Sequence, residues 1–231
     1  MPTQVLSLHR FPVKSMSGEQ LDRLDLDERG VAGDRLWSVR TADGKIGSGK
    51  NTRRFAAVPG LLRLRAEVRD GEVVVTFPDG SSCCPEDADA DERVSRYVGQ
   101  PVTFARESDV LHFDDGPVSL AGRGSVHAVA AAGGSEVEPV RFRANLVLDT
   151  AVPFVEDGWV GRLVRVGSAV LRVELTSRRC VMVDMATADL PAQPGNLLTV
   201  GSLNDTRLGV IAAVVAPGSI AVGDVLTVDD Q

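Results

Sequence analysis

Short runs of β-branched and other apolar residues recur along this chain, and most of them end at a turn signal. Glu72–Phe77 stands before Pro78-Asp79-Gly80, Gly209–Val215 stands before Pro217-Gly218, and Leu171–Thr176 is a third such run. Runs bounded by Gly, Pro and Asp are typical of short strands that turn back within a barrel or sandwich. The sequence therefore predicts a fold built mainly from β-strands.

Two segments predict helices instead. In Asp87–Val98 the apolar residues form a stripe at helical spacing, and Gly99 offers a C-terminal stop. Ser125 is a candidate N-cap for a shorter helix over Val126–Ala132, which Gly133-Gly134 ends. A helix that starts at Ser125 would direct free N–H groups and the positive end of its dipole outward, as a phosphate site requires. We therefore expect an α+β fold that is predominantly β.

The length of 231 residues allows one large β domain or two smaller ones. The charged stretch Arg106–Asp109 separates two groups of apparent strands, so we predict a boundary near residue 105, between domains 1–105 and 106–231. Near the C-terminus, Gly223-Asp224 interrupts Ile220–Val228 and predicts a tight bend between two short strands.

The formal net charge of −7 argues against a nonspecific nucleic-acid binder, whose affinity would depend on Lys and Arg that neutralise phosphates. Any anion site must therefore be a local basic pocket. The segment Met1–Arg10 lacks the apolar run of a secretory signal, and no later stretch has the length of a membrane span. We expect a cytoplasmic protein with neither a nucleic acid nor a membrane as a partner.

Three cysteines, of which Cys83 and Cys84 are adjacent, form neither a disulfide framework nor a set of tetrahedral zinc ligands. Three scattered histidines argue against a multi-histidine metal site, and no phosphate-binding glycine loop or hydrolase motif occurs. Cys180 is therefore the cysteine to be judged for chemistry.

Cys180 ends the cluster Thr176-Ser177-Arg178-Arg179-Cys180, which follows an apparent strand. Adjacent guanidinium groups favour the thiolate, the form that attacks electrophiles and binds soft metals. The alternative is a buried small hydrophobic residue, because free cysteine is among the most buried residue types. Both interpretations remain open from the residues alone.

A second group, Arg141-Phe142-Arg143-Ala144-Asn145, precedes the strand-like Leu146–Leu148. Arginine forks suit a phosphate, and the amide of Asn145 offers a donor and an acceptor to a heterocycle. The alternative is a strand start with exposed arginines, and Lys14-Ser15 and Gly33-Asp34-Arg35 are equally open to an interpretation as simple turns.

The order of these groups adds information that no single group carries. Over roughly residues 5 to 228 the sequence resembles the MOSC (molybdenum cofactor sulfurase C-terminal) family with its N-terminal β-barrel partner. The motifs that carry the resemblance are Phe11-Pro12-Val13-Lys14-Ser15, Gly33-Asp34-Arg35-Leu36-Trp37, Phe142-Arg143-Ala144-Asn145, Glu156-Asp157-Gly158-Trp159 and Arg179-Cys180. Ala144 departs from the family's usual proline, and Ile211 stands where some relatives carry an aromatic residue.

The resemblance implies an N-terminal β-barrel-like portion packed on a MOSC β-barrel, with molybdenum-molybdopterin held between them. Cys180 would be the catalytic residue and the protein ligand to molybdenum. The residues expected to hold the pterin and its phosphate are Lys14, Ser15, Arg35, Arg143 and Asn145, with Ser125, Thr176, Ser177 and Arg179 lining the same pocket.

The full-length arrangement resembles the mitochondrial amidoxime-reducing component and its bacterial relatives. This implies an oxidoreductase that reduces small N-hydroxylated substrates with electrons from a separate flavin or haem reductase, since three cysteines are too few for a cluster. One alternative is a carrier that takes sulfur from a donor as a Cys180 persulfide. Another is a barrel that has lost the cofactor and serves only as an interaction domain.

Overall fold

Strands make up most of the regular structure in the computed structural model, which describes residues 3–229. In the first half of the chain they are β1 (Thr3–Arg10), β2 (Glu19–Leu21), β3 (Arg23–Asp27), β4 (Gly30–Val31), β5 (Trp37–Thr41), β6 (Ile46–Ser48), β7 (Phe55–Ala57), β8 (Arg65–Arg69), β9 (Glu72–Thr76), β10 (Ser82–Cys83) and β11 (Val102–Arg106). In the second half they are β12 (Val118–Gly122), β13 (Leu146–Leu148), β14 (Leu163–Val166), β15 (Ala169–Arg178), β16 (Arg207–Ala216), β17 (Gly218–Ala221) and β18 (Val225–Val228). The α-helices are α1 (Ala90–Val98), α2 (Arg123–Gly133) and α3 (Asn196–Asn204). The predicted α+β, predominantly β fold is confirmed.

Seven strands close into a barrel in the order β1-β13-β12-β16-β15-β14-β18, and β18 pairs back to β1. The first strand of the chain therefore completes a barrel whose other strands all come from the second half. A bulge in β1 between Val5 and Ser7 shifts its register against β13. Because of this extra residue, Val5 and Leu8 both point into the barrel core although they are three positions apart.

The rest of the N-terminal half forms a four-stranded sheet, β11-β5-β6-β7, and a three-stranded sheet, β10-β9-β8. Val39, Val75 and other apolar side chains from these sheets, together with Val94 of α1, share a second core. β3 also pairs with β17, so strand pairing joins the two halves of the chain at β3 as well as at β1. The boundary near residue 105 stays a prediction.

The predicted strands and the C-terminal bend are confirmed as β9, β15, β16 and the pair β17 and β18 around Gly223. The first predicted helix is confirmed as α1, with Gly99 in the left-handed conformation at its end. It begins at Ala90 because Asp87 forms a turn instead, in which its carboxylate accepts the Cys84 N–H at 2.7 Å. Within residues 3–229, every helix is too short or too polar to cross a bilayer.

The predicted N-cap at Ser125 is wrong. The helix α2 begins at Arg123, and Gly122 is its N-cap. Glu156 Oε1 accepts the Gly122 N–H at 3.0 Å and the Ser125 hydroxyl at 2.7 Å. Thr150 accepts the Gly124 N–H at 3.1 Å, so side chains of the protein already bind two of the backbone N–H groups at the start of this helix.

We predict that Leu8→Ala lowers the free energy of unfolding by about 2–5 kcal/mol, because it leaves a cavity in the barrel core where β1 closes the sheet. Leu198→Ala is the matched control, since Leu198 is 80% exposed on α3, and it should change stability by less than about 0.5 kcal/mol. Urea unfolding followed by circular dichroism measures both variants. Equal stability of the two would contradict the structural role of β1.

Candidate functional site: a basic cleft around Cys180

A cleft with an internal volume of about 100 Å³, partly open to solvent, lies where the chain leaving β1 meets the chain leaving β15. It is lined by Lys14, Ser15, Arg35, Lys50, Asp114, Asp115, Gly116, Ser119, Arg141, Phe142, Arg143, Ser177, Arg178, Arg179, Cys180, Met182, Val183 and Ile211. Five arginines and two lysines in this lining face two aspartates. In a chain with a net charge of −7, the cleft is the kind of local basic pocket that the sequence required for an anion.

Cys180 lies just beyond the end of β15 and is partly exposed, with a free thiol. Its backbone is extended, and the short 3-10 helix Val181–Asp184 begins directly after it. Two backbone hydrogen bonds fix this turn: the Arg179 N–H donates to Thr206 at 2.7 Å, and the Val183 N–H donates to Cys180 at 3.2 Å. The turn presents the thiol to the cleft.

Arg179 packs beside Cys180, and its guanidinium bonds only to carbonyl oxygens among the described residues. Nε donates to Leu208 O at 2.7 Å and Nη1 donates to Phe142 O at 2.7 Å. Burial lowers the pKa of Arg179 to about 10, while the nearby Cys180 acts in the opposite direction. The guanidinium is therefore a buried positive charge with no directly bonded carboxylate.

Arg143 is a second buried cation of this type. Its Nη1 donates to Met16 O at 2.6 Å, and its guanidinium lies 4.3 Å from the centre of the Phe11 ring. Burial, and after it the charge of Arg35, lowers the pKa of Arg143 to about 9. An anion in the cleft would offset this cost of burying positive charge.

Lys14 and Lys50 share the carboxylate of Asp114. Lys14 Nζ donates to Asp114 Oδ2, and Lys50 Nζ lies 3.0 Å from Asp114 Oδ1. Burial lowers the pKa of Lys14 to about 8, against the opposing effect of Asp114. Burial alone would raise the pKa of Asp114, but the two lysines hold it well below its usual range. Asp114 therefore stays ionised and neutralises one of two ammonium groups.

Three residues of the lining have left-handed backbones although none is glycine: Ser15 at φ 65°, Arg35 at φ 52° and Arg143 at φ 51°. Such conformations are uncommon for residues with a Cβ atom and concentrate at functional sites. Ser15 Oγ and Arg141 Nε are buried, and neither has a hydrogen-bond partner within residues 3–229. The cleft wall thus holds polar groups that a bound molecule could satisfy.

Seven of the ten predicted site residues line the cleft: Lys14, Ser15, Arg35, Arg143, Ser177, Arg179 and Cys180. Thr176, Ser125 and Asn145 do not. The Ser125 hydroxyl is used on Glu156, and Asn145 Oδ1 accepts the Ser119 hydroxyl at 2.8 Å, while its Nδ2 donates to His9 O at 3.1 Å. Asn145 thus joins β1 to β12, while Ser125 joins α2 to the segment around Glu156.

The sequence interpretation missed Lys50, Asp114, Asp115 and Met182. It named Arg141 as part of a group but did not predict it as a site residue. Asp114 and Asp115 precede Gly116 and Pro117, a composition that by itself predicts only a turn. Lys50 follows a glycine-serine stretch that is equally unspecific.

Cys83 and Cys84 lie elsewhere. Cys83 belongs to the N-terminal core, and burial raises its pKa. Burial and then Asp87 raise the pKa of Cys84, which is partly exposed. Among residues 3–229, no cluster of three or more His, Cys, Asp or Glu side chains is arranged to hold a metal ion. A metal at Cys180 would need most of its ligands from a bound group.

Comparison with known proteins agrees with this architecture. The chain is 26% identical over 260 aligned positions to "Molybdenum cofactor sulfurase" of Danio rerio; the match covers 89% of this chain but only 30% of that protein. The fold is similar to that of the YuaD protein from Bacillus subtilis, with a TM-score of 0.53, 15% identity, and coverage of 100% of this chain and 98% of that one. The family models of the MOSC N-terminal beta barrel domain and the MOSC domain match residues 2–104 and 107–227, respectively. The chain belongs to the MOSC domain family.

Proposed function

We propose that this protein binds molybdenum-molybdopterin in the basic cleft and reduces N-hydroxylated compounds, with Cys180 as the protein ligand to the metal. One observation carries the proposal: the partly exposed Cys180 thiol shares a cleft with Arg143 and Arg179, whose bonded partners are carbonyl oxygens. A soft sulfur ligand beside half-buried cations that have no bonded carboxylate among the described residues suits a metal cofactor that carries a phosphate. The sulfurase from Danio rerio supports a link of this family to that cofactor.

The free polar groups of the cleft fit such a cofactor. Ser15 Oγ and Arg141 Nε are buried and unpartnered, so a ring edge or a phosphate oxygen could satisfy them. Lys14 and Arg35 would hold the anionic group with Arg143, while Ser177 and Arg179 would contact the face toward Cys180. The cleft is partly open to solvent, so a bound cofactor would extend from these groups toward its open side.

When bound, the molybdenum centre supplies the redox chemistry, by which an N–OH group takes up two electrons and two protons to give N–H and water. The chain itself would orient the cofactor through its fixed cations and exclude water from the buried wall. The electrons would come from a separate reductase of the flavin or haem type, our proposed partner.

The alternative function is a sulfur carrier. A donor persulfide would transfer its terminal sulfur to the Cys180 sulfur, and the donor would leave as a thiolate. The Cys180 persulfide would then release this terminal sulfur to an acceptor. The partial exposure of Cys180 and the word "sulfurase" in the name of the Danio rerio relative favour this candidate.

We predict that Cys180→Ser abolishes molybdenum retention while leaving the fold intact, because a hydroxyl is a harder and weaker ligand for a soft metal than sulfur. Metal analysis of protein made in a cofactor-producing host measures the effect. Cys84→Ser is the matched control and should retain the metal, since Cys84 lies outside the cleft lining. Stoichiometric molybdenum in folded Cys180→Ser would contradict the assignment of Cys180 as the metal ligand.

Cofactor retention should weaken as the pH rises through about 8, because Lys14 then loses the charge that attracts the phosphate. Below that pH the ammonium is protonated and retention should be complete. Lys14→Arg remains charged and should retain molybdenum up to pH 9. Dialysis at pH 6.5, 7.5, 8.5 and 9.5 followed by metal analysis tests this, and identical curves for wild type and Lys14→Arg would contradict it.

An assay of amidoxime reduction distinguishes the proposed enzyme from the alternative sulfur carrier. With a chemical reductant or a flavin and haem reductase pair, the loaded protein should reduce benzamidoxime. A carrier would instead acquire a cyanide-labile persulfide from a cysteine desulfurase and activate a recipient apoenzyme. Loaded protein that transfers sulfur but reduces no amidoxime with any donor would reverse our choice.

A further inference from the structure

Lys50 lies at the open side of the cleft, held against the chain that follows Cys180. It lies two positions after the end of β6, where the Ser48 hydroxyl donates to Met182 Sδ at 3.8 Å. A Cβ atom added to Gly49 would lie 2.8 Å from Met182 Cγ, so the backbone there packs closely on the segment after Cys180. These contacts fix the place of Lys50 beside the thiol.

The two lysines at this end of the cleft share one bonded counterion. Among the described residues, Asp114 is the carboxylate that bonds both Lys14 and Lys50, while Asp115 acts on Lys50 only as a nearby charge. Arg178, the other exposed cation of the lining, has its own counterion, because its Nη2 lies 3.4 Å from Asp205 Oδ2. Lys50 is therefore a partly exposed cation whose bonded counterion is shared with a second lysine.

The side chains of Lys14 and Lys50 differ in their exposure to solvent, which suits them to different ligands. The Lys14 side chain is 3% exposed, whereas the Lys50 side chain is 29% exposed. A buried cation suits a resident group, while a cation at the open side can exchange partners with solvent. Among the described residues, Asp114 is the sole carboxylate paired with the Lys50 ammonium, which has three N–H donors.

We propose that Lys50 is a specificity-determining residue that selects substrates carrying a carboxylate or another anionic group, which docks on its ammonium beside Cys180. This inference rests on the proposed function and names its substrate class: N-hydroxylated compounds with a negative charge. Such a charge would give the Lys50 ammonium a counterion that it does not share with Lys14.

The first test compares 4-carboxybenzamidoxime with neutral benzamidoxime. In wild type the carboxylated compound should have the higher kcat/KM, and Lys50→Met should lower the ratio of the two values by about tenfold. Lys50→Arg should keep the preference. Lys45→Met is the matched control, since Lys45 pairs with Asp43 outside the lining, and it should leave the ratio unchanged. The absence of a preference in wild type, or an equal loss for both compounds, would overturn the proposal.

The second test needs no turnover. Benzoate binding to the same loaded proteins, measured by calorimetry, should be about tenfold weaker in Lys50→Met than in wild type. If neither amidoxime is reduced, the proposed function fails, yet a benzoate site lost in Lys50→Met still supports the anion site. Equal benzoate affinities would overturn that site even in an active enzyme.

Metal analysis of Lys50→Met separates a substrate contact from a cofactor contact. We expect it to match wild type in molybdenum content. Loss of molybdenum in parallel with benzoate binding would assign Lys50 to the cofactor and overturn its role in substrate selection.

Discussion

The pairing of β1 with β13 and β18 is the constraint on which the rest of this structure depends. It closes the barrel with the first strand of the chain, and the backbone of His9 bonds to Asn145 at 2.8 Å where β1 leaves the sheet. The chain that follows must then run along the end of the barrel. Lys14 and Ser15 therefore reach the same cleft as Cys180, which lies more than a hundred and sixty positions later in the sequence.

The cleft concentrates positive charge that the surrounding protein does not neutralise. Carbonyl oxygens bond the guanidinium groups of Arg141, Arg143 and Arg179, and carbonyls stabilise a cation by their dipoles without cancelling its charge. Burial consequently lowers the pKa of all three groups. An anionic ligand would offset the free energy that burying these three guanidinium groups costs. The same charges would therefore give the cleft its affinity for anions.

Backbone strain accompanies this charge. Ser15, Arg35 and Arg143 have positive φ angles, each of which costs on the order of 1–3 kcal/mol in a residue with a Cβ atom. Tertiary contacts hold at least two of them in place: Arg35 donates to Asp34 and, at 3.3 Å, to Arg143 O, while Arg143 donates to Met16 O. The strain brings both guanidinium groups over the Phe11 ring, at 5.0 and 4.3 Å from its centre.

The sequence by itself determined the β-rich class, the bend at Gly223 and the end of α1 at Gly99, because turn chemistry is local. The family motifs also identified seven residues of the cleft lining. Only the tertiary structure decided which polar residues face the cleft. Ser125 turned inward because Glu156, 31 positions away, accepts its hydroxyl, and Lys50 joined the cleft because Asp114 reaches it from the far side of the boundary region. Strand pairing between distant parts of the chain brings such partners together. The residues next to a serine or a lysine in the sequence do not indicate which partner its side chain will bond.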